Sequence, residues 1–204
     1  KKLGTGSLRD EANAWFVGEP LKVFYDYKKV GIWQLGEEAE AAKNSQRPGD
    51  IKVQDANSDG QITADDRVVY SQRPDVTFGL NNSFTFKDFE FSFFVYGRLG
   101  QWIDYEYYGG YKTDGLENGS NVDYWTPENP TNAFPRPNKN NNFKKTKYSS
   151  TLKYAKGSFV KVRDITLAYN LPSKILKPIG LGKLRLYVTA KNFLTFSDLD
   201  DYDP

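Results

Sequence analysis

The sequence contains no cysteine and no histidine. Together these absences exclude cysteine nucleophiles, Ser-His triads, disulfide staples and the usual zinc sites. Any metal held by this chain must be held by oxygen. Long apolar runs are missing too, and nothing approaches the ~18 consecutive apolar residues that a transmembrane helix needs. Charge is nearly balanced, at +2, which is too small an excess for a dedicated nucleic-acid binder. The chain begins at Lys1 with no recognisable signal peptide, as expected of a mature exported protein or a portion of one.

What the sequence has in quantity is rings. Its 204 residues include 14 Tyr, 14 Phe and 4 Trp, yet the mean hydropathy is −0.68. A soluble all-β domain can combine these properties, and so can a membrane barrel with aromatic girdles and a polar lumen.

Strict alternation identifies the strands. Val76, Phe78, Leu80, Phe84 and Phe86 share one face with Asn82, while Thr77, Gly79, Asn81, Ser83 and Thr85 occupy the other. Lys87-Asp88 reads as a two-residue turn, after which Phe89, Phe91, Phe93 and Val95 alternate with Glu90, Ser92, Phe94 and Tyr96. Each arm has about the ~9–11 residues that a tilted strand needs to cross a bilayer. A second pair sets Ile165, Leu167, Tyr169 and Leu171, then Leu184, Leu186, Val188 and Ala190, on either side of the connection Pro172–Lys183. Two weaker strands are expected near Leu21–Gln34, and a short helix over Gly36–Ser45 that Arg47-Pro48-Gly49-Asp50 breaks.

Half-buried strands look alike in a two-sheet sandwich and in a membrane barrel, so alternation leaves both open. Loop lengths favour the barrel. The connections at Lys87-Asp88 and Pro172–Lys183 are short, whereas Gln101–Ser158 is long and rich in Gly, Asn, Pro and Tyr. Membrane barrels have short turns on one side and long loops on the other. So few strands cannot close a barrel, which makes this chain part of a larger one.

Residues 55–66 read DANSDGQITADD, the spacing of a calcium loop. Asp55, Asn57 and Asp59 stand at positions 1, 3 and 5, with Gly60 at the sharp turn and the Gln61 carbonyl at 7. Thr63 at 9 suits a water-mediated contact, and Asp66 takes position 12, where Glu is usual. The alternative is an Asx- and Gly-rich turn that binds nothing. Amphipathic helices do not flank the loop, so the expected role of calcium is structural.

Several blocks in order resemble the late portion of SusC/RagA-type TonB-dependent transporters of the Bacteroidota outer membrane. They are residues 47–100, beginning RPGDIKVQDANSDG; YWTPENPTNAFPRP; GSFVKVRDITLAYNLPSKIL; and KLRLYVTAKNFLTFSDLDDYDP. The resemblance implies an all-β fold, with antiparallel strands forming the C-terminal part of a large, 22-stranded transmembrane β-barrel. It implies import of glycans or oligopeptides, energy from TonB through an N-terminal region, and a SusD-like surface lipoprotein as partner. The whole of 1–204 is then expected to be barrel portion. Residues 51–70 would be an extracellular calcium-type loop and 101–158 a long extracellular loop, with the plug domain, TonB box and final strand not recognised within it. The alternative is a secreted all-β carbohydrate-binding module with a structural calcium site.

Rings crowd the long loop. Trp102, Tyr107, Tyr108, Tyr111 and Trp125 are candidates for stacking on substrate, with Tyr105 and Tyr124 nearby. Equally, such rings pack a loop on itself or form an interfacial girdle. Lys139, Lys144, Lys145, Lys147, Lys153 and Lys156 read as a solvated basic face, with lipopolysaccharide phosphate or an acidic substrate as the other option. Asp104, Glu106 and Asp114 show no defined carboxylate pair, so no catalysis is expected.

Overall fold

The computed structural model describes residues 8–115, 121–138 and 146–199. Lys139, Lys144, Lys145 and the closing YDP lie outside these residues. The chain opens with short strands: β1 (Arg9–Asp10), β2 (Trp15–Phe16), β3 (Val23–Tyr27) and β4 (Lys29–Ile32). Helix α1 (Glu38–Lys43) leads to β5 (Ile51–Val53) and β6 (Arg67–Ser71). Two long strands follow, β7 (Val76–Phe86) and β8 (Phe89–Leu99). Then come β9 (Trp102–Asp104), the single turn α2 (Glu106–Gly109) and β10 (Tyr154–Lys156). The last elements are β11 (Phe159–Asn170), the turn α3 (Ser173–Leu176) and β12 (Arg185–Ser197). No helix among the described residues is long and apolar enough to cross a membrane.

These elements form two compact units, each discontinuous in sequence. One combines the stretch ending at Arg73 with Trp102–Ala155; the other combines Pro74–Gln101 with the stretch from Lys156.

The second unit is a four-stranded antiparallel sheet in the order β12-β11-β8-β7. The expected hairpin is present, with Phe86 opposite Phe89 and a left-handed Lys87 (φ 54°) at its turn. The expected second pair also forms, from Phe159 opposite Ser197 down to Asn170 opposite Arg185. β8 and β11 pair directly, although the chain leaves the sheet between Leu99 and Phe159. A bulge between Val162 and Asp164 interrupts the register toward both neighbours and bends the sheet there.

The first unit is made of ribbons. β1 pairs with β2, β3 with β6, β4 with β5, and β9 with β10. The weaker strands expected near Leu21–Gln34 therefore do not join the long sheet. At five and four residues, β3 and β4 are too short to span a bilayer, and Ile32 at the end of β4 is buried in a core of its own. That core gathers Ile32, Ile51 and Val53 from the early stretch with Tyr111, Trp125, Phe134, Tyr148 and Leu152 from the later one. Residues 101–158 thus fold largely onto the early chain and not as a bare loop. Hydrogen bonds join the two stretches: Ile32 N donates to Asn132 Oδ1 at 3.0 Å and Trp125 Nε1 to Gln34 Oε1 at 2.8 Å. A Cβ at Gly31 would fall 2.6 Å from Asn132 Oδ1, so any side chain there would force the hydrogen-bonded Asn132 amide to shift.

Candidate functional site

Cross-strand partners share a face of a sheet, so the register sorts the side chains of the long sheet. One face carries Phe78, Leu80 and Phe84 of β7 beside Phe91, Phe93 and Val95 of β8. It continues through Val162, Ile165 and Leu167 of β11 to Val188, Ala190 and Leu194 of β12. Asn82 and Gly97 are the polar or side-chain-free interruptions between Val76 and Leu99. This apolar face is open: Phe86 is 72% exposed, Val188 67% and Phe196 62%. Large contiguous apolar exposure of this kind marks a surface built for a non-aqueous neighbour.

The opposite face is largely polar, with Phe94, Tyr96 and Tyr187 as its rings. Thr85, Glu90, Ser92, Thr166, Asn170, Arg185 and Thr189 lie along it. Glu90 ties three strands together, accepting from Asn170 Nδ2 at 2.7 Å and from Arg185 Nη2 at 2.9 Å. The hydroxyls of Thr166 and Thr189 meet at 2.9 Å across β11 and β12. An apolar outside and a hydrogen-bonded polar inside are the two surfaces of a membrane-barrel wall.

In the first unit, the 55–66 loop is curled by its own acceptors. Asp55 accepts from Asp59 N at 3.3 Å and from Gly60 N at 2.8 Å; Asn57 Oδ1 accepts from Asp59 N at 2.9 Å; Asp59 Oδ1 accepts from Gln61 N at 2.8 Å. Gly60 has φ +83°, the left-handed backbone that the turn requires. Asp66 is fully buried and closes the loop from the far end, accepting from Ala56 N at 2.9 Å and Thr63 N at 2.7 Å. Burial pushes the Asp66 carboxyl up, but its hydrogen bonds from Thr63, Ala56 and Asn57 together hold it below the ordinary aspartate range. The donor set is all oxygen and suits a hard cation. Among the described residues, however, no three carboxylates gather closely enough to hold a metal ion.

The ring residues singled out in the sequence divide by burial. Tyr111 is buried, its hydroxyl donating to Pro135 O at 3.0 Å, and burial pushes its pKa up to about 12. Trp125 is buried as well, and both belong to the core. Tyr107 is exposed. Trp102 and Tyr108 come together on the wall of a cavity of about 370 Å³, joined there by Tyr70, Phe134 and Tyr154. Lys29 also lines it, donating to Ala133 O at 2.5 Å, and burial lowers its pKa to about 8. Sequence reasoning missed Lys29, Tyr70 and Tyr154, because no linear spacing connects positions so far apart. Asp104 is bound to Lys153 at 2.8 Å, which gives that carboxylate a structural partner.

No family model matches the chain. TonB-dependent receptor P26 of Formosa agariphila is 33% identical over 211 residues, covering 99% of this chain and 20% of the relative. TonB-dependent receptor P3 of the same organism is 31% identical over 200 residues, covering 92% and 19%. In sequence, the chain is similar to one part of these TonB-dependent receptors. It spans about a fifth of the length of these curated relatives. Solved structures agree in fold. The RagAB peptide importer in its open-open state superposes with a TM-score of 0.63 at 21% identity, over 99% of this chain and 22% of that one. Another structure of the RagAB peptide transporter gives 0.59 at 20% identity, over 87% and 20%. The antiparallel all-β architecture expected from the sequence is therefore the observed one, and the relatives are receptors and transporters by name.

Proposed function

We propose that this chain supplies wall strands and outer loops to a TonB-dependent importer in the bacterial outer membrane. The carrying observation is the open apolar face that runs without a charge across β7, β8, β11 and β12, backed by a polar face. Closed into a 22-stranded barrel, the apolar face meets lipid and the polar face lines the lumen. The turn at Lys87-Asp88 and the connection Pro172–Lys183 then face the periplasm, and the first unit lies outside the cell.

In this reading the cargo is a glycan or an oligopeptide. A SusD-like surface lipoprotein covers the outer mouth, and TonB supplies energy through the N-terminal region of the whole protein. Trp102, Tyr107 and Tyr108 are the rings proposed to contact cargo, while Tyr111 and Trp125 belong to the buried core. Calcium is the proposed structural ligand of Asp55, Asn57, Asp59, Gln61, Thr63 and Asp66. The supporting feature is the loop's inward curl around Asp55, Asn57 and Asp59. The whole protein is proposed as a transporter without catalytic chemistry.

In-frame deletion of the gene in its own host tests the reading. Loss of growth on one glycan or peptide source, restored by the full-length gene, supports import. A full-length product found in the soluble fraction, or a deletion strain that grows normally on every polymeric source, overturns it.

A further inference from the structure

The cavity of the first unit combines a ring-lined wall with a lysine ammonium. Five rings surround it (Tyr70, Trp102, Tyr108, Phe134 and Tyr154), with Tyr70 edge-on to Trp102 at 4.8 Å and stacked on Tyr154 at 5.3 Å. Among them lies the Lys29 ammonium, whose one described hydrogen bond goes to a neutral carbonyl, Ala133 O. No Asp or Glu lines the cavity among the described residues, and the nearby Asp26 carboxylate is hydrogen-bonded to the Tyr154 hydroxyl. An ammonium carries three donors and a full charge, and one backbone oxygen satisfies one donor without neutralising the charge. The missing complement is an anion.

The remaining polar groups say what the anion is attached to. The Tyr70 hydroxyl donates to Tyr27 O at 2.7 Å, Asn132 Oδ1 accepts from Ile32 N, and the Thr151 hydroxyl donates to Tyr148 O. With these engaged within the protein, the rings dominate the wall, and the charged donors that remain among the lining residues are the ammonium groups of Lys28 and Lys29. An apolar body with one charged end suits such a wall. A volume of about 370 Å³ is at the small end of ligand pockets, room for one or two residues of a chain.

We propose that this cavity takes the C-terminal residue of an oligopeptide, its carboxylate on Lys29 Nζ and its apolar side chain against Trp102, Tyr108 and Tyr154. The proposal rests on the importer reading and narrows its cargo to peptides with a free C-terminus. Lys29 is then the specificity determinant, and the rings supply contact area.

The test uses the full-length protein purified in detergent, with calorimetric binding of an oligopeptide ending in Phe, as the free acid and as the C-terminal amide. The free acid is expected to bind at least ~10-fold more tightly. Lys29→Met should abolish the difference between acid and amide, and Lys29→Arg should keep it. Trp102→Phe serves as a second variant, expected to weaken both ligands several-fold without altering their ratio. Outer-membrane yield and thermal unfolding of each variant establish that it folds. Equal binding of acid and amide, a preference that survives in Lys29→Met, or a Lys29-dependent preference for a uronate-bearing oligosaccharide over the peptide overturns the proposal. In those cases the importer reading stands if cells still take up cargo through the protein. Absence of uptake of any cargo overturns both.

Discussion

Phe78 on β7 lays its ring over Gly97, its registered partner on β8. A Cβ at Gly97 would collide with that ring, so the absence of a side chain gives the phenylalanine a flat seat on the open apolar face. Gly97→Ala is expected to displace the ring and cost about 1 kcal/mol, despite the usual benefit of replacing a strand glycine. Urea unfolding of the full-length protein in lipid vesicles reads this directly. The Gly97→Ala/Phe78→Ala double variant should lose less than the sum of the single ones, because the collision is then gone.

The two faces of the long sheet make opposite predictions at adjacent positions. Phe93 lies on the apolar face and Ser92 on the polar one. Phe93→Arg is expected to destabilise the membrane-inserted protein by about 2–4 kcal/mol, the cost of a cation facing the bilayer interior. Ser92→Arg should cost well under half of that, since it lies on the polar face of the sheet. Vesicle insertion yield and unfolding midpoints separate the two. If both variants behave alike, the sheet is not a lipid-facing wall.

Asp66 closes the 55–66 loop through hydrogen bonds from both of its ends. Asp66→Ala removes the shared acceptor of the Ala56, Asn57 and Thr63 N–H groups and is expected to cost about 1–2 kcal/mol of local stability, read as faster proteolysis of the loop. The acid dependence has a definite sign. A carboxyl whose folded pKa is depressed stabilises the fold above the unfolded value of 3.8 and loses that contribution as pH falls through the lower folded value. Protection of the loop should therefore hold at pH 5 and fail in the window below 3.8. Calcium added to wild type should slow proteolysis further, and EGTA should reverse that gain; no response to either counts against a bound ion.

Lys29 titrates in the other direction. Its pKa is lowered to about 8 by burial, against 10.5 for an ordinary lysine. Between those values the unfolded chain holds a proton that the folded chain has released, so stability rises with pH across that window. Lys28, Tyr70, Tyr108 and Tyr154 also line this cavity, and burial holds Tyr70 and Tyr154 above the ordinary phenol range, leaving both neutral there. Resistance of the first unit to chymotrypsin is expected to increase from pH 7.5 to 9.5 in wild type. Lys29→Met should be resistant already at the lower pH and flat across the range.

The sequence made the long sheet legible and the first unit almost opaque, for a physical reason. Val76–Phe86 and Phe89–Leu99 each keep a period of two with few interruptions, because one face of the sheet is largely apolar and the other largely polar. β3 and β4 are short and their burial is irregular, so no period develops. The core of the first unit comes from contacts such as Gly31 against Asn132, which no local pattern records. The 55–66 motif was visible residue by residue, but the role of Asp66 as acceptor for Ala56 and Thr63 depends on a fold-back that spacing alone does not specify. The cavity was half legible: Trp102 and Tyr108 stood out by ring density, whereas Lys29 looked like any surface lysine.

The first unit is assembled from two stretches of chain with the β7–β8 hairpin between them. Inheritance acts on contiguous stretches, so a single genetic crossover within the hairpin would join an early half from one parent to a late half from another. Pairs such as Gly31 with Asn132 and Gln34 with Trp125 would then face strangers. Viable exchange of this unit between related genes must bring both stretches together or keep the hairpin as a passenger. New specificities at this surface should therefore spread as a double-ended cassette of about the whole span, and a graft of the later stretch alone should fail to fold.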